Sequence, residues 1–331
     1  MLSVYRVLSC TYKLKVNTIT DPFTGCVHAL AAWCKAAENS NVFSVLDGYS
    51  QWRSRMRIAP QVFLWGQKAS PRCKVAWHGI LTELLDLLPR DGSVHPIMAN
   101  IENYLNVLHS AGHNTNIFRK RIEDGWQVIM NVFQLFTSVH DVEGARKRLL
   151  SLFPVKTSSR GTFGQISLKE EAAGKLRVFA MVDNITQSVL RPLHDALFDL
   201  LRLIPNDGTF DQDESVRRSS KKAEKHGCAY SFDLSAATDR LPAAVSAIVL
   251  STLSGIPGLG EAWLKLLVDR EYWLNSEQEQ QYNSPVQCVR YSVGQPMGAL
   301  SSWAMLAITH HWILQMASNK RSDGSVIVLS N

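Results

Sequence analysis

The chain has 331 residues, enough to bury a sizeable core as one large domain or two ordinary ones. With 46% hydrophobic and 19% charged residues it lies far from the compositions of disordered chains, and no apolar run approaches the about 20 residues of a membrane-spanning helix. Its net charge of +6 leans toward polyanionic partners, while the six cysteines lack the spacing of a disulfide framework or a zinc site and fit a reducing compartment.

In chain order, Arg6, Lys13 and Lys15 precede the first acid, Asp21, as in mitochondrial presequences. In the same stretch VYRV and YKLKV alternate like strands, and both readings stay open. Residues 27–150 read as helical. Ile80, Leu81, Leu84, Leu85 and Leu88 recur at helical spacing up to Pro89, with Arg90-Asp91-Gly92 as a turn behind them. Phe118, Ile122, Trp126, Ile129, Val132, Phe133 and Phe136 form a longer series across Gly125. These are core faces, and the nine tryptophans are read as packing residues rather than base-stacking platforms.

From about residue 151 basic residues, glycines and short alternating stretches replace the helical series, which sets a boundary near 150. Lys156, Arg160, Lys169, Lys175 and Arg177 outnumber Glu170 and Glu171 here. Val189, Leu193, Leu197, Leu200, Leu201 and Ile204 predict a helix ended by Pro205 and the Asn206-Asp207-Gly208 turn. The charged stretch from Arg217 to Lys225 predicts a solvated helix face.

Three segments carry candidate chemistry. LKEEAAGKLRVFAMVD, residues 168–183, sets Lys169, Lys175 and Arg177 beside a strand-like run, where cations can neutralise a triphosphate or simply face solvent. YSFDLSAATDR, residues 230–240, alternates so that a strand sends Tyr230, Phe232 and Leu234 to one face and Asp233 to the other. Thr238 or Asp239 then caps a helix over 241–253, with Pro242 in its first turn. GQPMGALSSWAMLA, residues 294–307, is a glycine-rich loop running into a helix with Ala299, Ser301, Ser302 and Ala304 in its first turns. Small residues there let a nucleic-acid backbone or another element approach, and Ser301 or Ser302 can equally be an ordinary cap.

In this order the segments resemble the RNA-dependent RNA polymerases of mitoviruses and, more distantly, those of RNA bacteriophages. GKLRVFAMVDNITQSVLRPLHDALFDLLRLIPNDGTFDQ is similar to the finger segment leading into the palm, SFDLSAATDRLP to motif A, and GQPMGALSSWAMLAITHHW to motif B. The resemblance implies an α+β right-hand polymerase fold with helical fingers and an incomplete palm sheet, the thumb missing. Its parts are a helical N-terminal region over 1–150, fingers with a basic motif F over 151–226, a palm segment over 227–317 and a divergent tail over 318–331. It implies that Asp233 is the catalytic aspartate that ligates Mg²⁺ or Mn²⁺ in a two-metal mechanism. It implies further that Asp239 reads the ribose 2′-hydroxyl, that Gly298 and Ser302 hold template and nucleotide sugar, and that Lys169, Lys175 and Arg177 bind the triphosphate. RNA and nucleoside triphosphates are the implied partners, and mitochondria the implied location.

One departure bears on activity. The family's Gly-Asp-Asp hairpin should follow motif B, yet no Asp-Asp dipeptide occurs in the sequence, and Asp323 is the only later acid. Mg²⁺ needs several fixed oxygen ligands, so metal binding by this chain is expected to be poor and the chain is expected to be a truncated product, inactive alone. The alternatives are a non-catalytic RNA-binding remnant of an endogenised viral polymerase and an unstable fragment.

Overall fold

The computed structural model describes residues 27–39, 42–64, 71, 76–88, 93–136, 144, 163–171, 176–229, 231, 234, 236–274 and 288–318. The strand-like N-terminal stretches, the 90–92 turn, the boundary near 150, Lys156, Arg160, Lys175, Asp233 and Asp323 lie outside the described residues. Within them the architecture is α+β, with helices packed around one small sheet.

The first helices are α1 (Val27–Glu38), α2 (Tyr49–Arg55), α3 (Ala76–Leu87), α4 (Pro96–Ser110) and α5 (Asn116–Phe136). The two apolar series in the sequence become α3, burying Ile80, Leu84 and Leu85, and α5, burying Phe118, Ile122 and Ile129. Helix α5 runs unbroken through Gly125, and the Trp126 indole N–H donates to the Leu84 carbonyl at 2.9 Å, fastening α5 to α3. Pro96 opens α4 at a position where a missing N–H costs nothing, and the His95 ring accepts the Ile97 amide at 3.2 Å.

The sheet comprises β1 (Gly164–Glu170), β2 (Leu176–Val182), β3 (Tyr272–Leu274) and β4 (Cys288–Val289), ordered β2-β1-β3-β4. β1 and β2 form an antiparallel hairpin in register from Gly164↔Val182 to Glu170↔Leu176, while β1 pairs parallel with β3. Two-residue periodicity buries Ile166, Leu168, Val178, Ala180 and Val182 on one face. It leaves Lys169 directly opposite Arg177 on the other.

Helix α6 (Asn184–Arg202) leaves β2 at once, buries the predicted Val189, Leu193, Leu197, Leu200 and Leu201, and begins under two carboxylates. Asp183 caps it by accepting the Thr186 amide at 2.7 Å, and the buried Glu83 of α3 accepts the Asn184 amide at 2.8 Å. Orphan amides and the positive helix end favour both. Arg270 completes the cluster, its Nη1 lying 2.6 Å from Asp183 Oδ2 and its Nη2 donating to the Thr186 hydroxyl at 2.9 Å. None of this buried network is visible as a sequence pattern.

Helix α7 (Gln212–His226) buries no residue, as its charge predicts, and ends on left-handed Gly227. Next come α8 (Ala237–Arg240), α9 (Ala243–Ser254), α10 (Leu259–Val268) and α11 (Ser302–Ser318). Apolar on nearly all sides, α9 packs against α1, α10 and α11.

Two expectations need correction. Ser231 and Leu234, the described residues of the 230–235 segment, are exposed and outside any strand. A strand needs a partner, and none of the pairings in the sheet reaches them. Nor does Thr238 or Asp239 cap a helix over 241–253. Pro242 disfavours helical backbone at the residue before it, so Leu241 is extended (φ −68°, ψ 121°) and the helix divides. Asp239 therefore lies in the one-turn α8, and α9 starts afresh at Ala243 with Pro242 at its N-cap.

Candidate nucleotide and RNA site

The loop over 294–301 organises the site by joining two elements distant in sequence. At one end the Gln295 amide donates to the Thr238 carbonyl at 2.9 Å, and a β-carbon on Gly294 would stand 2.2 Å from that same carbonyl oxygen. At the other, the Ala180 amide donates to the Met297 carbonyl at 2.8 Å, so the loop pairs with the outer edge of β2. Gly298 has φ +127°, and a β-carbon there would stand 2.9 Å from the Ala180 carbonyl. Only glycine meets both conditions without strain.

Helix α6 holds the loop from below. Gln187 donates to the Gly298 carbonyl at 3.0 Å and accepts the Leu300 amide at 2.8 Å, and His194 Nδ1 accepts the Ser301 amide at 3.0 Å. Gln187 and His194 are seven residues apart, so they share one helix face; that spacing is the signal by which the sequence could have revealed them. Ser301 is left-handed (φ 69°), accepts the Trp263 indole N–H at 2.8 Å and donates to the Leu300 carbonyl. The Ser302 hydroxyl is buried with no hydrogen-bond partner among the described residues. Neither hydroxyl caps α11.

Between loop, hairpin and α8 lies a groove of about 160 Å³, lined by Arg177, Leu234, Asp239, Met297 and the 236–238 backbone turn. It brings together Arg177 of β2 and Asp239 of α8. Arg177 makes a two-pronged ion pair with Glu171, Nε to Oε1 at 2.5 Å and Nη2 to Oε2 at 3.1 Å. Asp239 is 7% exposed, and behind it the Tyr291 phenol is pushed well above its ordinary pKa, first by burial and then by the Asp239 charge. Lys169 is exposed on the same hairpin face as Arg177. Gly298 is exposed beside Met297, and Ser302 lies buried at the start of α11; neither lines the groove.

A divalent ion asks for more than this geometry offers. Among the described residues Asp239 is the one carboxylate lining the groove, a guanidinium lines it too, and no group of three or more His, Cys, Asp or Glu side chains gathers. Mg²⁺ takes near-octahedral oxygen donors, so the described residues do not by themselves fit the ion.

A hairpin bearing Lys169 and Arg177, a carboxylate in a one-turn helix and a glycine loop wedged between them make up this site. A family model for "Mitovirus RNA-dependent RNA polymerase" matches residues 56–326. The chain is 30% identical over 326 residues to the "RNA-directed RNA polymerase" of Cryphonectria parasitica mitovirus 1, covering 96% of this chain and 34% of the relative. It is 35% identical over 119 residues to an uncharacterized mitochondrial protein of Arabidopsis thaliana, covering 36% of this chain and 45% of that one. No solved structure matches. The chain belongs to the mitovirus RNA-dependent RNA polymerase family. It spans about a third of the length of the first relative and under half of the second.

Proposed function

We propose that the groove is the nucleotide-receiving part of an RNA-dependent RNA polymerase site, with residues to about 226 acting as fingers and 227–317 as palm. The observation that carries this reading is that Arg177 and Asp239, from separate segments, line one groove. Arg177, with Lys169 across the strand and Lys175 in the connection, receives the triphosphate, which competes with Glu171 for the guanidinium. Asp239 accepts a hydrogen bond from the ribose 2′-hydroxyl, the group that separates RNA from DNA precursors. Gly298 holds the loop against β2, and the unpartnered Ser302 hydroxyl is available to the template or nucleotide sugar if the loop shifts.

The family reading implies Mg²⁺ or Mn²⁺, which when bound would activate the primer hydroxyl and offset charge on the leaving pyrophosphate. Asp233 is the proposed ligand; the Gly-Asp-Asp carboxylates expected from the resemblance are missing, since no Asp-Asp dipeptide occurs in the sequence. That shortage supports a second reading, a non-catalytic RNA-binding protein of viral-polymerase descent, and on either reading these 331 residues alone do not extend a primer. A mitochondrial location is supported by the names of the two relatives.

The test is nucleotide and RNA binding, followed by primer extension with Mg²⁺ or Mn²⁺. Arg177→Ala with Lys175→Ala should weaken triphosphate and RNA binding together. Undiminished binding of both would overturn the groove assignment. Primer extension abolished by Asp233→Ala would overturn the inactivity of the isolated chain.

A further inference from the structure

Among the described residues most aromatic rings are packed inward, but one group is presented outward beside the site. Trp303, the second residue of α11, is 57% exposed, and Phe210, just before α7, is 48% exposed. The half-buried Phe198 of α6 lies between them, its ring edge-on to Trp303 at 5.8 Å and to Phe210 at 6.0 Å. His194, which holds the site loop through Ser301, packs on Phe198 at 4.5 Å. On the far side the Arg202 guanidinium stands 4.4 Å from the centre of the Phe210 ring. The rings thus form a strip continuous with the 294–301 loop and ending at Arg202, whose guanidinium also pairs with Asp199 at 2.7 Å.

The strip leads onto charge. Arg218 donates to the Pro205 carbonyl at 2.6 Å, which fixes α7 against the turn bearing Phe210. From Arg218 the basic residues Lys221, Lys222 and Lys225 follow at three- and four-residue spacing along one side of the helix, with Glu224 the one acid among them. None of the ion pairs among the described residues uses these three lysines, whereas Arg217 is paired with Glu214.

We propose that Trp303, Phe198, Phe210 and Arg202, with Lys221, Lys222 and Lys225 of α7, form a docking strip for single-stranded RNA outside the groove. Bases stack on the rings and phosphates follow the lysines. Stacking on exposed rings beside a cationic track is how sequence-tolerant single-strand binding arises. Aromatic rings and arginine occur at protein interfaces too, but lysine is depleted there, so it is the lysine track that favours RNA over a protein partner. The inference rests on reading the chain as an RNA-handling protein.

Fluorescence anisotropy of a labelled 12-nucleotide oligouridylate with the full chain tests it, over a series of KCl concentrations. The Trp303→Ala/Phe210→Ala variant should bind at least about tenfold more weakly with its salt slope unchanged, and Trp303→Phe should bind within about threefold of the parent. The Lys221→Ala/Lys222→Ala/Lys225→Ala variant should lower the salt slope by about 2. If the aromatic double variant binds like the parent while Lys175→Ala/Arg177→Ala weakens binding, the strip is wrong and the groove reading stands. If neither weakens binding, both fall. Loss of self-association in the aromatic variant with unchanged RNA affinity would make the strip a protein contact and overturn the proposal.

Discussion

The Met297 carbonyl accepts the Ala180 amide at 2.8 Å, tying the glycine-rich loop to the outer edge of β2. Because the Gln295 amide is bonded to Thr238 two residues earlier, the loop fixes the distance between the hairpin bearing Arg177 and the turn bearing Asp239. The groove depends on that distance.

Gly298→Ala should therefore damage the site through the backbone. The left-handed φ and the close Ala180 carbonyl together should cost about 1–3 kcal/mol, read as a lower urea midpoint. Nucleotide binding should weaken with it. Full stability in this variant would show that the loop is not clamped as described.

Arg270→Met should be among the most damaging substitutions remote from the groove. It leaves the Asp183 carboxylate buried without its cation, where breaking such a pair costs about 3–5 kcal/mol. Asp183→Asn/Arg270→Met, removing both charges, should recover part of the loss. A single variant with an unchanged unfolding midpoint would contradict the role given to this pair.

Asp207 links the turn after α6 to His311 of α11 at 2.9 Å. Burial opposes its charge, but hydrogen bonds from His311 and Thr209 outweigh this and leave its pKa below the ordinary 3.8. A carboxylate depressed in the folded state adds stability that is present above its unfolded pKa and lost as pH falls through the folded one. Asp207→Asn should thus be less stable than the parent at pH 7 and nearly equal to it near pH 2 in urea titrations. A stability difference independent of pH would remove Asp207 from the account.

Helices α3, α5 and α6, the solvated face of α7 and the two groove residues Arg177 and Asp239 are legible in the sequence because each belongs to a local pattern or a motif. Asp183–Arg270, Glu83 on the α6 amides, and Gln187 with His194 under the loop were not named, because their partners are joined only by the fold. Pro242 misled the reading of motif A, since its restraint on Leu241 divided one expected helix into two. Trp303 departs from the packing role expected of the tryptophans, because its place at the start of α11 leaves it outward while Ala304 and Met305 pack inside.

The most direct test is whether Asp239 distinguishes ribose from deoxyribose. Binding of GTP and dGTP to the chain should be measured in the same buffer, for the parent and for Asp239→Ala. A parent preference for GTP of about tenfold, the scale of one hydrogen bond to a charged acceptor, should collapse to near one in the variant. A preference that survives Asp239→Ala, or a parent that binds the two equally, would contradict the groove as a ribonucleotide site.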